Sequence, residues 1–258
     1  MRDQGLHKAI EAAGGMRSLA RVLGISQPAI SAWKRIPADR VVAVELATSV
    51  PRAQLRPDLY DTAQSLTHVE PEDVARADEY AMLGALLWRA PTAEVLAQLA
   101  GLKGDPSELG AAHLMLSELA GKVDAADLQR EYFEMFIGVG RGEILPYGSY
   151  YRTGFLHERP LADVRRDMEK MGLAREVRVG EPEDHVAILF DVMRGLILGE
   201  FEADGIDDRV FFDRHLKPWV SRLFVDLEMS QTSEFYRTVG AIGRVFMTIE
   251  ASAMALAA

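Results

Sequence analysis

The chain has 258 residues, 48% of them hydrophobic and 26% charged, with a net charge of −10 and no cysteine. That length can bury one large core or two smaller ones, while the missing cysteine excludes disulfides, thiolate metal sites and cysteine nucleophiles. The charge is uneven: Met1–Tyr60 carries nine Lys and Arg against five Asp and Glu, net +4, which leaves −14 for the remainder. A mildly basic front on a strongly acidic body points to two units with different partners. No apolar run follows Met1-Arg2-Asp3-Gln4, so no signal peptide is expected. No stretch reaches the roughly 18 apolar residues of a membrane span, so the expected place is the cytoplasm.

In chain order, Leu6, Ile10 and Ala13 predict an amphipathic helix that stops at Gly14-Gly15. Leu19, Ala20, Val22 and Leu23 predict a short second helix ended by Gly24. Ser26 is a natural N-cap for a third helix, with Gln27 and Pro28 in its first turn and Ile30 and Trp33 inward. A fourth helix starts near Pro37 and runs through Val41, Val44 and Leu46. A Gly-containing turn before a capped helix that exposes Gln27, Ser31, Lys34 and Arg35 is the helix-turn-helix pattern.

The stretch Ser18–Arg35 resembles the Cro/YdaS type of DNA-binding domain, and the resemblance spans about Leu6 to Leu59. It implies a DNA-reading set of Arg21, Ser26, Gln27, Ser31, Lys34 and Arg35. Gln27 and Ser31 would face base edges, and Arg21, Lys34 and Arg35 would hold phosphates. The alternative is an interaction module without an operator of its own. A net +4 is modest, and such a unit generally needs a homodimer for useful affinity.

Pro51, Pro57 and Pro71 place the seam in Val50–Glu72, giving a domain at 1–60, a linker at 61–74 and a second domain at 75–258. The second domain reads as helical throughout. Tyr80, Leu83, Leu86, Leu87 and Trp88 line one helix that ends before Pro91. Thr92 caps the next, and His113, Leu116 and Leu119 mark another. Asp124 caps a further helix in which Leu128, Tyr132, Met135 and Phe136 recur at helical spacing. On spacing alone such a stripe is core packing. Gly138–Gly142 is a loop and no phosphate cradle, since no strand precedes it and no Gly-Lys-Ser/Thr follows.

Leu145–Tyr151 sets Tyr147, Tyr150 and Tyr151 behind Pro146, either as a rigid surface that grips an extended peptide or as a loop packed on its own rings. Leu161–Met171 predicts a helix whose Arg165-Arg166 forms a solvated basic face, closed by Gly172. Glu181-Pro182-Glu183-Asp184-His185 then opens a helix at Val186–Leu198. Pro182 suits the first helical position and the acids suit the positive end of the dipole. Asp184 beside His185 can fix one imidazole tautomer and raise its pKa. The alternatives are a satisfied capping histidine or an acid–base dyad. Asp204–Asp208 reads as an acidic turn. His215 and Trp219, one helical turn apart, are expected to pack the central helix.

Taken in order, Tyr132–Phe136, Leu145–Tyr151, Glu181–His185 and Phe211–Trp219 resemble the TorD/DmsD family of redox-enzyme maturation chaperones, from about Ala75 onward. Its signature includes an E-P-x-D-H segment. One departure is Leu145, where the family has the first of two prolines. The expectation is an all-α protein: a helix-turn-helix head followed by a TorD-like helical bundle. The resemblance implies a partner in the apo form of a molybdenum or tungsten oxidoreductase, of the formate dehydrogenase or DMSO/TMAO reductase kind. It implies binding of that enzyme's twin-arginine signal peptide until the cofactor is inserted. An apolar peptide with two arginines needs aromatic walls and carboxylates at one end. The signal-peptide set is Tyr132, Phe136, Tyr147, Tyr150, Tyr151, Glu181, Pro182, Asp184 and His185. No catalytic residue, metal or cofactor is expected, since no nucleophile motif, metal cluster or nucleotide loop accompanies Asp184-His185. The rival reading is a DNA-binding regulator whose C-terminal domain senses the client.

Overall fold

The computed structural model describes residues 3–37, 40–48, 50–57, 70–173, 180–201 and 205–256. Among them every regular element is a helix or helical turn, and the chain divides into two compact units, Met1–His68 and Val69–Ala258. Residues 61–69 of the linker expected at 61–74, and Asp204, lie outside the described residues. The first helix of the second unit begins at Pro71, four residues ahead of the expected domain start, because Pro71 takes the first helical position with Glu72 and Asp73 behind it.

The first unit holds helices Gln4–Ala12, Met16–Val22, Gln27–Ala32, Val41–Thr48 and Arg52–Leu55. Asp3 caps the first through the Gly5 N–H at 2.7 Å, and Ser26 caps the third through Ala29. Gly24, at φ +67°, makes the turn between the second and third helices. Leu6, Leu19, Ile30, Ile36, Val41, Val44 and Leu55 close a small core, and Leu46 faces out.

In the second unit, Thr92, Ser107, Asp124 and Asp207 cap the helices Ala93–Leu99, Glu108–Ala120, Ala125–Tyr132 and Asp208–Phe211. Short π-helical turns follow at Phe133–Ile137 and Phe212–Leu216. The frame is two packed pairs: Val186–Leu198 on Pro71–Trp88, and Val220–Met229 on Glu234–Leu256. The second pair is close because Gly243 meets the Phe224 ring, where an added Cβ would sit 2.1 Å from a ring carbon. By length and composition alone Glu234–Leu256 could cross a membrane, yet here Tyr236, Val239, Ile242 and Phe246 are buried in the core.

A buried charge network ties the two pairs together. Glu250, fully buried, accepts from Arg76 at 2.7 and 3.0 Å and from the Tyr80 hydroxyl at 3.0 Å. Arg76 also reaches Asp73 at 2.7 Å and Asp208 at 2.9 Å. Burial opposes the charge on Arg76, and these bonds more than offset it, so its pKa is raised. A second network is centred on Asp167, which accepts from Lys170 at 2.8 Å and from His215 and Arg214 at 3.0 Å.

Candidate functional site

The Glu181–His185 segment does not start its helix as Pro182 suggests. The helix is Val186–Leu198, and His185 is its N-cap, with Nδ1 accepting the Ala187 N–H at 3.1 Å. Pro182 lies in the turn before it. With Nδ1 accepting, the ring proton sits on Nε2. Burial pushes the His185 pKa down to about 4, opposite to the rise expected from Asp184. Asp184 turns away from the imidazole and accepts the Ser149 N–H at 2.6 Å. Its carbonyl accepts from Gly148 at 2.9 Å, and the Pro146 carbonyl accepts from Val186 at 2.8 Å. The signature's polar groups therefore lace Pro146–Ser149 to the start of the central helix.

This lacing draws the tyrosine segment inward. Gly148–Thr153 is a short helix rather than a surface loop, and Ser149 and Tyr151 are buried. Tyr151 stacks on Trp219 at 5.5 Å and donates to Asp226 at 2.8 Å. Tyr150 packs against Tyr151, with the Arg141 guanidinium over its ring. Phe136 is held between Tyr132 and Tyr236. The Phe212–Leu216 turn that holds His215 packs on the central helix, and His215 and Trp219 make further contacts. His215 pairs with Asp167, Trp219 donates to the His215 carbonyl at 2.5 Å, and the Trp219 ring lies on Tyr151 and Gly148. Arg165 is no free basic face: its guanidinium reaches Glu183 at 2.8 Å.

Four members of the signal-peptide set do converge. Tyr147 donates to Glu181 at 2.5 Å, and its ring meets His185 edge-on at 5.1 Å. Tyr132 donates to the Leu87 carbonyl at 3.2 Å. Burial first, then the Glu181 charge, pushes the Tyr132 pKa up to about 12, so it stays a neutral donor. Between them stands Trp88, 37% exposed, with its ring perpendicular to His185 at 5.3 Å. Pro182 and Asp184 are neighbours by chain, whereas Phe136, Tyr150 and Tyr151 contribute to the packing behind.

From this corner a groove of about 560 Å³ runs between Pro71–Trp88 and Val186–Leu198. The two helices are antiparallel: Trp88 meets His185, Gly84 faces Ala187, and Tyr80 meets Phe190 at 5.1 Å. Ala81, Gly84 and Ala85 form one wall, Ala187 and Ile188 the other, with Met168 beside them. Trp88, Arg89, Glu181 and Glu183 stand at one end, and Asp191 and Arg194 at the other. Of the expected set only Glu181 lines this space. Ala81, Ala85 and Asp191 carried no motif; the only cue to them was their spacing of three and four beside Gly84 and Ala187. In the first unit, Arg21, Ser26, Gln27, Ser31, Lys34 and Arg35 are all exposed, and Gln27 accepts from Arg17 at 3.2 Å.

The family described as "Nitrate reductase delta subunit" matches residues 102–225, and "Bacterial toxin YdaS" matches residues 6–64. The chaperone protein TorD of Aliivibrio fischeri is 27% identical over 203 residues, covering 70% of this chain and 94% of that one. TorD of Vibrio atlanticus is 27% identical over 151 residues, covering 54% and 70%. The second unit is thus similar to the TorD chaperones over most of its length. The first unit is similar to the YdaS family over residues 6–64. A solved structure of a redox enzyme maturation protein from Archaeoglobus fulgidus is 21% identical with a TM-score of 0.43, covering 67% of this chain and 93% of that one. The TorD relatives are described as chaperones.

Proposed function

We propose that this TorD-type protein is a cytoplasmic maturation chaperone for a molybdenum- or tungsten-containing oxidoreductase. It binds the twin-arginine signal peptide of the apoenzyme and holds back export until the cofactor is inserted. The observation that carries this reading is the groove beside the Glu181–His185 segment, apolar along its walls and with carboxylates at both ends. An apolar peptide finds contact on Ala85, Ala187 and Ile188, and Trp88 offers a ring face to a guanidinium. Glu181, positioned by the Tyr147 hydroxyl, offers a carboxylate for a charge-assisted bond. The net charge of −14 on the second part of the chain draws a basic peptide in over distance.

A second, compatible reading comes from the head. Its exposed Gln27, Ser31, Lys34 and Arg35 favour sequence-selective DNA binding, so that client occupancy of the chaperone unit would be reported at an operator.

Calorimetric titration with signal peptides from the same organism's molybdoenzymes tests the main reading. One peptide is expected to bind at micromolar Kd or tighter, about tenfold more weakly to Glu181→Gln. If no such peptide binds the folded wild type, the chaperone–signal-peptide reading is wrong.

A further inference from the structure

The groove's charges are not equally committed. Arg165 engages Glu183 at 2.8 Å. Arg194, one turn beyond Asp191 and its natural helical partner, is instead held by Glu200 through bonds of 2.9 and 3.1 Å. Glu181 receives the Tyr147 hydroxyl and no cation among the described residues. Asp191 is exposed on the groove wall and has no cation partner among them either. Each end thus keeps one carboxylate outside any ion pair among the described residues, with Arg89 lining the Glu181 end and the engaged Arg194 the Asp191 end.

Their separation follows from the helices. Glu181 stands at the Trp88 end beside the His185 cap, and Asp191 lies six residues along the helix from that cap, about 9 Å at 1.5 Å per residue. An extended peptide covers about 10 Å in three residues. The floor between the two ends is alanine, glycine and isoleucine, which admits a close backbone and offers no polar partner.

We infer that Asp191 is a second cation anchor, so that the groove selects an extended peptide with one cationic side chain at Glu181 and another three residues away at Asp191. This rests on the signal-peptide reading above and adds a specificity rule to it. At the Asp191 end the lining arginine, Arg194, is held by Glu200, so a ligand cation meets Asp191 without displacing an existing pair.

The test is fluorescence anisotropy on the full chain with a labelled twin-arginine peptide carrying lysine three residues after the arginines. Parallel peptides replace that lysine with glutamine or move it by one position. Wild type is expected to lose about fivefold to tenfold in affinity with either change. Asp191→Asn, an isosteric change at an exposed position, is expected to bind all three peptides alike, at the weaker level. Coupling below twofold between the lysine and Asp191, with the peptides still bound, overturns this inference and leaves the chaperone reading standing. Absence of binding by every peptide to wild type overturns both. A circular dichroism melt of Asp191→Asn matching wild type shows that the comparison concerns binding and not folding.

Discussion

Trp88 and His185 meet at a right angle, ring centroids 5.3 Å apart, where the last turn of one helix crosses the cap of another. His185 is committed to that cap and almost wholly buried, while Trp88 keeps a third of its surface open to the groove. The histidine of the signature segment is thus a support, and on the proposed peptide-binding reading the contact surface would be its neighbour. Trp88→Ala should therefore weaken peptide binding by tenfold or more. Its cost in stability should stay at roughly 1–2 kcal/mol, since the indole is only partly buried. Anisotropy and urea unfolding on the same samples separate the two effects. A variant that binds as tightly as wild type would remove Trp88 from the site.

The pH dependence of stability carries the mark of His185. Its folded pKa is about 4 against an ordinary 6.5. Between those values the unfolded chain binds a proton that the folded chain excludes, so stability falls as pH drops through this window. The full gap corresponds to roughly 3 kcal/mol. His215, also lowered by burial first, acts in the same direction. His185→Asn retains a good N-cap and should flatten the dependence between pH 6.5 and 4. Urea midpoints at intervals across that range measure it, and identical slopes for variant and wild type would refute the assignment.

Much of the fold is legible because its signals are local. Thr92, Asp124 and Ser26 act as caps where the residue types say they should, and Val186–Leu198 has the bounds its apolar run predicts. The inward turn of Tyr151 is not legible, because it depends on Gly148 and Ser149 bonding to Asp184, thirty-five or so residues away. The groove wall is harder still. Ala81, Gly84 and Ala85 matter through the side-chain volume they lack, and a missing atom leaves no motif. The misreading of Asp184-His185 as a charged pair has a similar cause. Adjacent residues in sequence suggest contact, but the extended backbone of His185 points the two side chains to different partners.

Asp167 offers a purely structural contrast to the groove. Burial pushes its pKa up, but bonds from Lys170, His215 and Arg214 outweigh this and hold it down at about 2. Removing the charge leaves His215, itself buried and already with an unpartnered Nδ1, without its acceptor. Asp167→Ala should destabilise the second unit by roughly 3 kcal/mol. The loss should grow no further above pH 5, since the carboxylate is fully ionised there. Peptide affinity measured below the unfolding transition should be unchanged, because Asp167 does not line the groove.

For the head, the argument turns on which contacts are shared by all DNA. Lys34 and Arg35 follow the Gln27–Ala32 helix on the exposed side of the unit, a position suited to the backbone. Phosphate contacts release counterions and are blind to sequence, whereas on the proposed DNA-binding reading Gln27 and Ser31 would face base edges. Lys34→Ala/Arg35→Ala should therefore lower affinity for specific and random duplexes by similar factors. It should also reduce the slope of log K against log salt by about 2 per head. Gln27→Ala should instead leave the slope unchanged and narrow the gap between specific and random DNA by roughly 1–3 kcal/mol. Gel shifts with a selected duplex over a range of salt read both quantities. If wild type selects no duplex from a random pool, the head is an interaction module, and its basic residues serve a protein partner.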